Sequence, residues 1–152
     1  MQEIFIVLLV IGGFAIIFPL FWMGILYFLS RIGGWAALAE RFGTDAEAQG
    51  ELFTWCSGRL RMFCNYSNCL RVTLSDAGIH IRTLVFFKVG HRPLFIPWTA
   101  VRDLQVRRYW RYSSAKLTVQ DQTGGWSLTF VLYGWGLADR MRELFEASRA
   151  PR

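Results

Sequence analysis

No charged residue occurs between Glu3 and Arg31. The intervening stretch, IFIVLLVIGGFAIIFPLFWMGILYFLS, would reach about 40 Å as a helix, against roughly 30 Å for a bilayer's hydrocarbon core. Its apolar residues cover every face, which excludes a soluble helix with a single covered stripe. No basic residue precedes Arg31 either. The start Met1-Gln2-Glu3 therefore lacks the positive charge of a secretory signal. The apolar run is about twice as long as a signal core, and the triplets Ala37-Leu38-Ala39 and Ala46-Glu47-Ala48 lie too far beyond it to mark cleavage. A transmembrane helix over residues 1–30 is the expectation. Small residues spaced four apart are missing from it, so no helix-dimer seam is written there.

Cysteine and histidine are also scarce. The three cysteines, Cys56, Cys64 and Cys69, are an odd number without a disulfide framework, which suits a reducing compartment. Cys64 and Cys69 make one loose pair and no second pair exists, so no zinc site is expected. Only two histidines are present. His91 sits in the connection Val89-Gly90-His91-Arg92-Pro93, with no acidic residue nearer in sequence than Asp76 and Asp103. It reads as a loop residue, and His80 as the outer face of a strand. G-x-S-x-G, a phosphate-cradling glycine loop and H-E-x-x-H are all absent. No catalytic residue, metal or cofactor is expected. A hydrolase or redox protein using His91 and a cysteine is the weakest alternative. Nucleic acid is not an expected partner, since no RNP, KH or helix-turn-helix signature occurs.

What is present is positive charge on one side only. All 17 Lys and Arg follow the apolar stretch, so the C-terminal part should stay in the cytoplasm and the short N-terminus outside. Trp22, Tyr27 and Trp35 are candidate membrane-interface anchors. Pro19 should kink the helix. Residues 31–50 form a juxtamembrane segment. AALAERF within it is a short amphipathic helix, lying either at the headgroup level or packed on the following domain. Gly43 to Gly50 is the linker.

From Leu52 the period becomes two. Leu52–Cys56, Arg59–Tyr66, Leu70–Ser75, Ile79–Arg82, Leu94–Ile96, Val101–Trp110, Ala115–Gln120 and Trp126–Leu132 read as strands. Asp76-Ala77-Gly78 and Asp121–Gly125 are turns. Pro97 confines Leu94–Ile96 to an edge or an end. Phe86, Phe87, Leu94, Phe95, Ile96 and Trp98 have the composition of core strand ends. Leu137, Met141, Leu144 and Phe145 fall on one face of a helix over 136–149, apolar enough to cover a sheet.

The expected fold is one N-terminal transmembrane helix, then an α+β domain over 51–152. The stretch VTLSDAGIHIR…LFIPWTAVRDLQV, with short strands, a D-x-G turn and one closing helix, resembles the bacterial pleckstrin-homology-like pattern. SRIGGWAALAERF is similar to the juxtamembrane stretch of small uncharacterised single-pass bacterial proteins. The resemblance covers roughly residues 30–148. It implies a pleckstrin-homology-like antiparallel β-barrel or sandwich closed by the helix, a scaffold or binding module, and the bacterial inner membrane as its location. It carries over no catalytic residue.

Between Arg59 and Lys116 eleven residues are basic and two acidic. A basic domain held beside an anionic leaflet gains about 1 kcal/mol per cation near the surface. RRYWRY at 107–112 concentrates this, with arginines for phosphates and aromatics for the headgroup layer. Arg92, Arg107, Arg108, Trp110 and Arg111 are the expected contacts to anionic lipid headgroups or a protein partner. A solvated strand without any such role, and an accessory structural subunit of a larger membrane complex, are the competing readings.

Overall fold

The computed structural model describes residues 1–60, 64–109 and 112–150. An N-terminal helix α1, Gln2–Ile32, is followed by a short helix α2, Trp35–Phe42, then seven strands and a last helix α3, Leu137–Arg149. The strands are β1 Glu51–Leu60, β2 Cys64–Leu74, β3 Gly78–Thr83, β4 Leu94–Pro97, β5 Val101–Arg108, β6 Ser113–Gln120 and β7 Ser127–Gly134. They form one curled antiparallel sheet, a half-barrel, in the order β4-β3-β2-β1-β7-β6-β5.

α1 runs through Pro19, whose missing N–H leaves the Ala15 carbonyl without its usual partner. The helix is long and apolar enough to cross a membrane, and its most apolar window is wholly uncovered. Its last turns differ, because Leu26 and Ser30 are buried against the sheet domain. Thus α1 has an uncovered part and a docked part. At 1.5 Å per residue the uncovered part is about as long as a hydrocarbon layer is thick.

Alternation sets the inner face of the sheet. Val72, Leu74, Ile79, Ile81, Leu117, Val119, Phe130 and Leu132 are almost fully buried, each two residues from the next on its own strand. α3 lays Leu137, Met141, Leu144 and Phe145 over this face and packs on β5, β6 and β7. β4 is an edge strand, as Pro97 requires.

Several expectations need correction. Leu52–Cys56 is not a separate strand, and Arg59–Tyr66 is not one strand. β1 continues to Leu60, which pairs with Cys64 at the start of β2, and residues 61–63 lie outside the described ones. Irregular register around Cys56 disguised this continuity. Trp55 there takes φ 58°, and Asn68 on β2, opposite Ser57, takes φ 50°. A bulge of this kind breaks the period of two and turns Trp55 outward. β5 ends at Arg108 rather than at Trp110, and Trp110 and Arg111 are outside the described residues. Phe86 is not a core strand end. It lies in a 3-10 turn, Val85–Phe87, and is 82% exposed.

Trp35 is the clearest change. Its side chain is 1% exposed in the core of the sheet domain, and Leu38 beside it is equally buried. Of the two places open to AALAERF, packing on the domain is the one observed. The indole supplies the reason: its N–H donates to the Arg92 carbonyl at 2.9 Å. Among the described residues that bond gives a buried polar tip a partner inside the fold, so the ring need not seek a wet interface.

Candidate functional site

The docked end of α1 forms a joint with the loop between β3 and β4. The Ser30 hydroxyl donates to the Gly90 carbonyl, and Trp35 donates to the next-but-one carbonyl of the same loop. Gly90 takes φ +72°, and a Cβ built there would stand 3.3 Å from Tyr27 Cα. A side chain at this position would meet both the left-handed backbone and the helix. Gly33 is similarly constrained by space, since its Cβ would lie 2.6 Å from Cys64 Sγ.

Between α1 and β2 lies a cleft of about 330 Å³, walled by Trp22, Leu26 and Leu29 on one side and by Tyr66, Phe87 and His91 on the other. His91 is 2% exposed. Its Nδ1 donates to the Val89 carbonyl at 2.9 Å, which leaves Nε2 of the neutral ring as an acceptor. Tyr66 fills that role, its hydroxyl donating to Nε2 at 3.0 Å. The Trp35 ring closes the cluster, with centroids 5.2 Å from His91 and 5.4 Å from Tyr66. Burial holds His91 below the ordinary histidine value of 6.5, opposed by its bond to Val89. Burial likewise pushes the Tyr66 phenol up. Both groups are therefore neutral, mutually satisfied members of the joint. His91 lies in a loop, as its sequence context predicts, but its burial leaves no local trace in the sequence. Its partner is 25 residues away, and no local pattern announces that pairing.

The weakest alternative required His91 to reach a thiol or a carboxylate. Its ring nitrogens instead meet a phenol and a carbonyl. The three cysteines are buried and free. Desolvation pushes Cys56 up to about 11 and raises Cys64 and Cys69. A thiol held protonated in this way is a poor nucleophile and a poor metal ligand. No cluster of three metal-ligating side chains occurs among the described residues. His80, expected on an outer face, is covered too. Its ring packs tilted against Phe95 with centroids 4.5 Å apart, and it is 8% exposed.

The expected cationic contacts are not gathered in one place. Arg92 lies beside α2 and pairs with Asp45 at 2.6 Å. Arg108 pairs with Asp139 at the start of α3 at 2.7 Å, and its hydrogen bond holds that carboxyl below the usual range. Arg107 is exposed on β5. The β5–β6 hairpin holding Arg107 and Arg108 stands at the Gly134 end of β7, where Ser113 pairs with Gly134. The joint with α1 stands at the other end, where Leu60 pairs with both Phe130 and Cys64. The sheet thus separates the arginine-rich hairpin from the helix.

Nearer α1 the structure offers other cations. The Arg31 guanidinium lies over the Tyr27 ring, 5.3 Å from its centroid, and donates to its hydroxyl at 2.9 Å. Lys88 immediately follows the 3-10 turn. Neither belongs to an ion pair among the described residues. Trp22 and Tyr27, two of the expected anchors, lie on this docked and partly exposed stretch of α1. Exposed aromatics also mark the far hairpin. Tyr109, Tyr112 and Trp135 are all more than half uncovered, and the rings of Tyr112 and Trp135 meet edge to face at 6.1 Å. No family model and no curated protein matches the chain.

Proposed function

We propose that this chain is a non-enzymatic binding module held at the inner face of a bacterial membrane by one spanning helix. The N-terminus lies outside and the sheet domain in the cytoplasm, following the positive charge. The half-barrel with its single C-terminal helix supports the pleckstrin-homology-like reading. One observation carries the proposal. The last turns of α1 are built into the domain through Leu26, the Ser30–Gly90 bond and the neighbouring Trp35–Arg92 bond. A helix integrated in this way is a working part of the mature fold, which argues against a removable signal. It holds the domain against the bilayer instead of on a loose tether.

The ligand of the module is an anionic headgroup, contacted first by Arg31 and Lys88 at the helix exit. These two take the place that RRYWRY held in the sequence reading. An ion near a low-dielectric surface is screened less than one in bulk, and only charges within about 8 Å of the phosphates count at physiological salt. The test is native mass spectrometry of the full chain released from nanodiscs containing about one third anionic lipid. Wild type should retain anionic lipid, and the pair Arg31→Glu and Lys88→Glu should lose most of it. Equal retention by that pair would refute the headgroup assignment. Loss on reversal of Arg107 and Arg108 instead would return the contact to the hairpin.

A second reading has its own observation. Tyr109, Tyr112 and Trp135 form an exposed aromatic group beside Arg107 and Arg108, a composition enriched where proteins meet proteins. A protein partner would engage that hairpin while lipid engages the opposite end.

A further inference from the structure

The 3-10 turn Val85–Phe87 carries Val85 at 78% and Phe86 at 82% exposure. Among the described residues these are the most uncovered large apolar side chains of the sheet domain. Single exposed apolar residues need no explanation. Two adjacent ones on a short turn do, and the position of this turn supplies it.

Phe87, the inward member, packs edge to face on Trp22 of α1, with centroids 6.2 Å apart. Trp22 ends a ladder of stacked rings on α1, with Phe18 at 6.3 Å and Phe14 a further 5.2 Å on. From Phe87 the chain follows α1 to Gly90, which accepts from Ser30. The turn therefore lies level with Trp22. That is about 13 Å along the helix from Arg31, the first charge after the apolar stretch, at 1.5 Å per residue. It stands beside uncharged helix, and its exposed residues extend the same apolar surface. Val89, 40% exposed, adds to the surface. Lys88 is the one charged residue between Arg82 and Arg92.

We infer that this turn is a second membrane foot: Val85 and Phe86 enter the apolar layer of the bilayer next to α1, while Lys88 and Arg31 remain at the phosphates. The inference rests on the proposed spanning role of α1. Lipid is the occupant because the turn continues a surface that only lipid covers in that reading. An apolar tip flanked by cations is also the pattern by which peripheral segments enter an interface. Two points of contact fix the face that the sheet turns to the membrane, which one helix alone does not.

The test uses the full chain in liposomes, with an environment-sensitive fluorophore on one introduced cysteine at a time. Phe86→Cys reports the turn, Ile11→Cys the helix and Trp135→Cys the far surface. The native thiols are buried, so each label is selective. Position 86 should be quenched several-fold more by nitroxide carried on lipid tails than by aqueous iodide. Position 11 should behave likewise, and position 135 should do the reverse. Should position 86 answer only to iodide while position 11 answers to lipid, the foot is refuted and the span stands. Shielding of position 86 from both quenchers would mean that protein covers the turn, which also refutes the foot. Iodide quenching at position 11 would overturn the spanning reading beneath it.

Discussion

At the scale of single residues, the joint at the end of α1 is held by buried polar groups that satisfy one another, whereas Nδ1 of His80 and Nε of Arg82 are buried without a partner among the described residues. His91 accepts from Tyr66 and donates to Val89. Tyr66→Phe would strip Nε2 of its donor inside an apolar cluster, at about 1–3 kcal/mol. Thermal or urea unfolding in detergent should show that loss. Proton linkage gives a second expectation. Burial lowers His91 below 6.5, and desolvation followed by the Arg82 charge lowers His80. The unfolded chain then binds protons that the folded chain refuses, so unfolding is favoured as pH falls through about 6.5 toward the lower folded values. Above that window the contribution to stability is complete. The unfolding midpoint should drop between about pH 7.5 and 5.5. His91→Gln should flatten part of that slope, and the double variant with His80→Gln more of it. A slope unchanged in both would contradict this account.

At the scale of elements, two packings do different work. α3 is a lid on the sheet, and Met141 is wholly buried beneath it. Met141→Ala should cost about 2–5 kcal/mol and loosen the half-barrel. The α1 joint instead depends on close approach. Gly33→Val would drive a branched side chain toward Cys64 Sγ, already 2.6 Å from the first carbon it would add. An overpacked contact of this kind costs about 1–3 kcal/mol. It should raise protease sensitivity around residues 33–50 and also lower the unfolding midpoint of the sheet domain, whose core holds Trp35, Leu38 and Cys64. Legibility in the sequence followed the same division. β3, β6, β7, α3 and the second half of β2 were readable because one covered face leaves a regular period in the residues. β1 was not, because the bulge at Trp55 interrupts its alternation. Phe86 and Trp35 were misplaced because an exposed phenylalanine and a buried tryptophan look alike without their neighbours. Composition reports how apolar a side chain is, and only the fold decides what covers it.

At the scale of the whole molecule, charge and greasiness are segregated along the chain, and the proposed topology rests on that segregation. A reporter fused after the last residue should be active only in a form that works in the cytosol. Activity of a periplasm-dependent reporter there would reverse the orientation and remove the anionic leaflet from reach. The candidate site was the least legible feature. The cations that stand at the helix exit, Arg31 and Lys88, are scattered in sequence and did not form a run. RRYWRY drew attention because it is contiguous, yet the ladder from Leu60 through Phe130 to Gly134 places its described arginines at the far end of the sheet. The joint has one more consequence. Ser30, Gly33 and Trp35 tie the end of α1 to the domain by two hydrogen bonds and a close approach, so a tilt of the helix would be passed on to the sheet. A thicker or thinner bilayer changes the angle at which a helix leans. In the proposed spanning arrangement that lean would tilt the sheet domain with the helix, and the angle at which Arg31 and Lys88 meet the headgroups would follow the thickness of the bilayer.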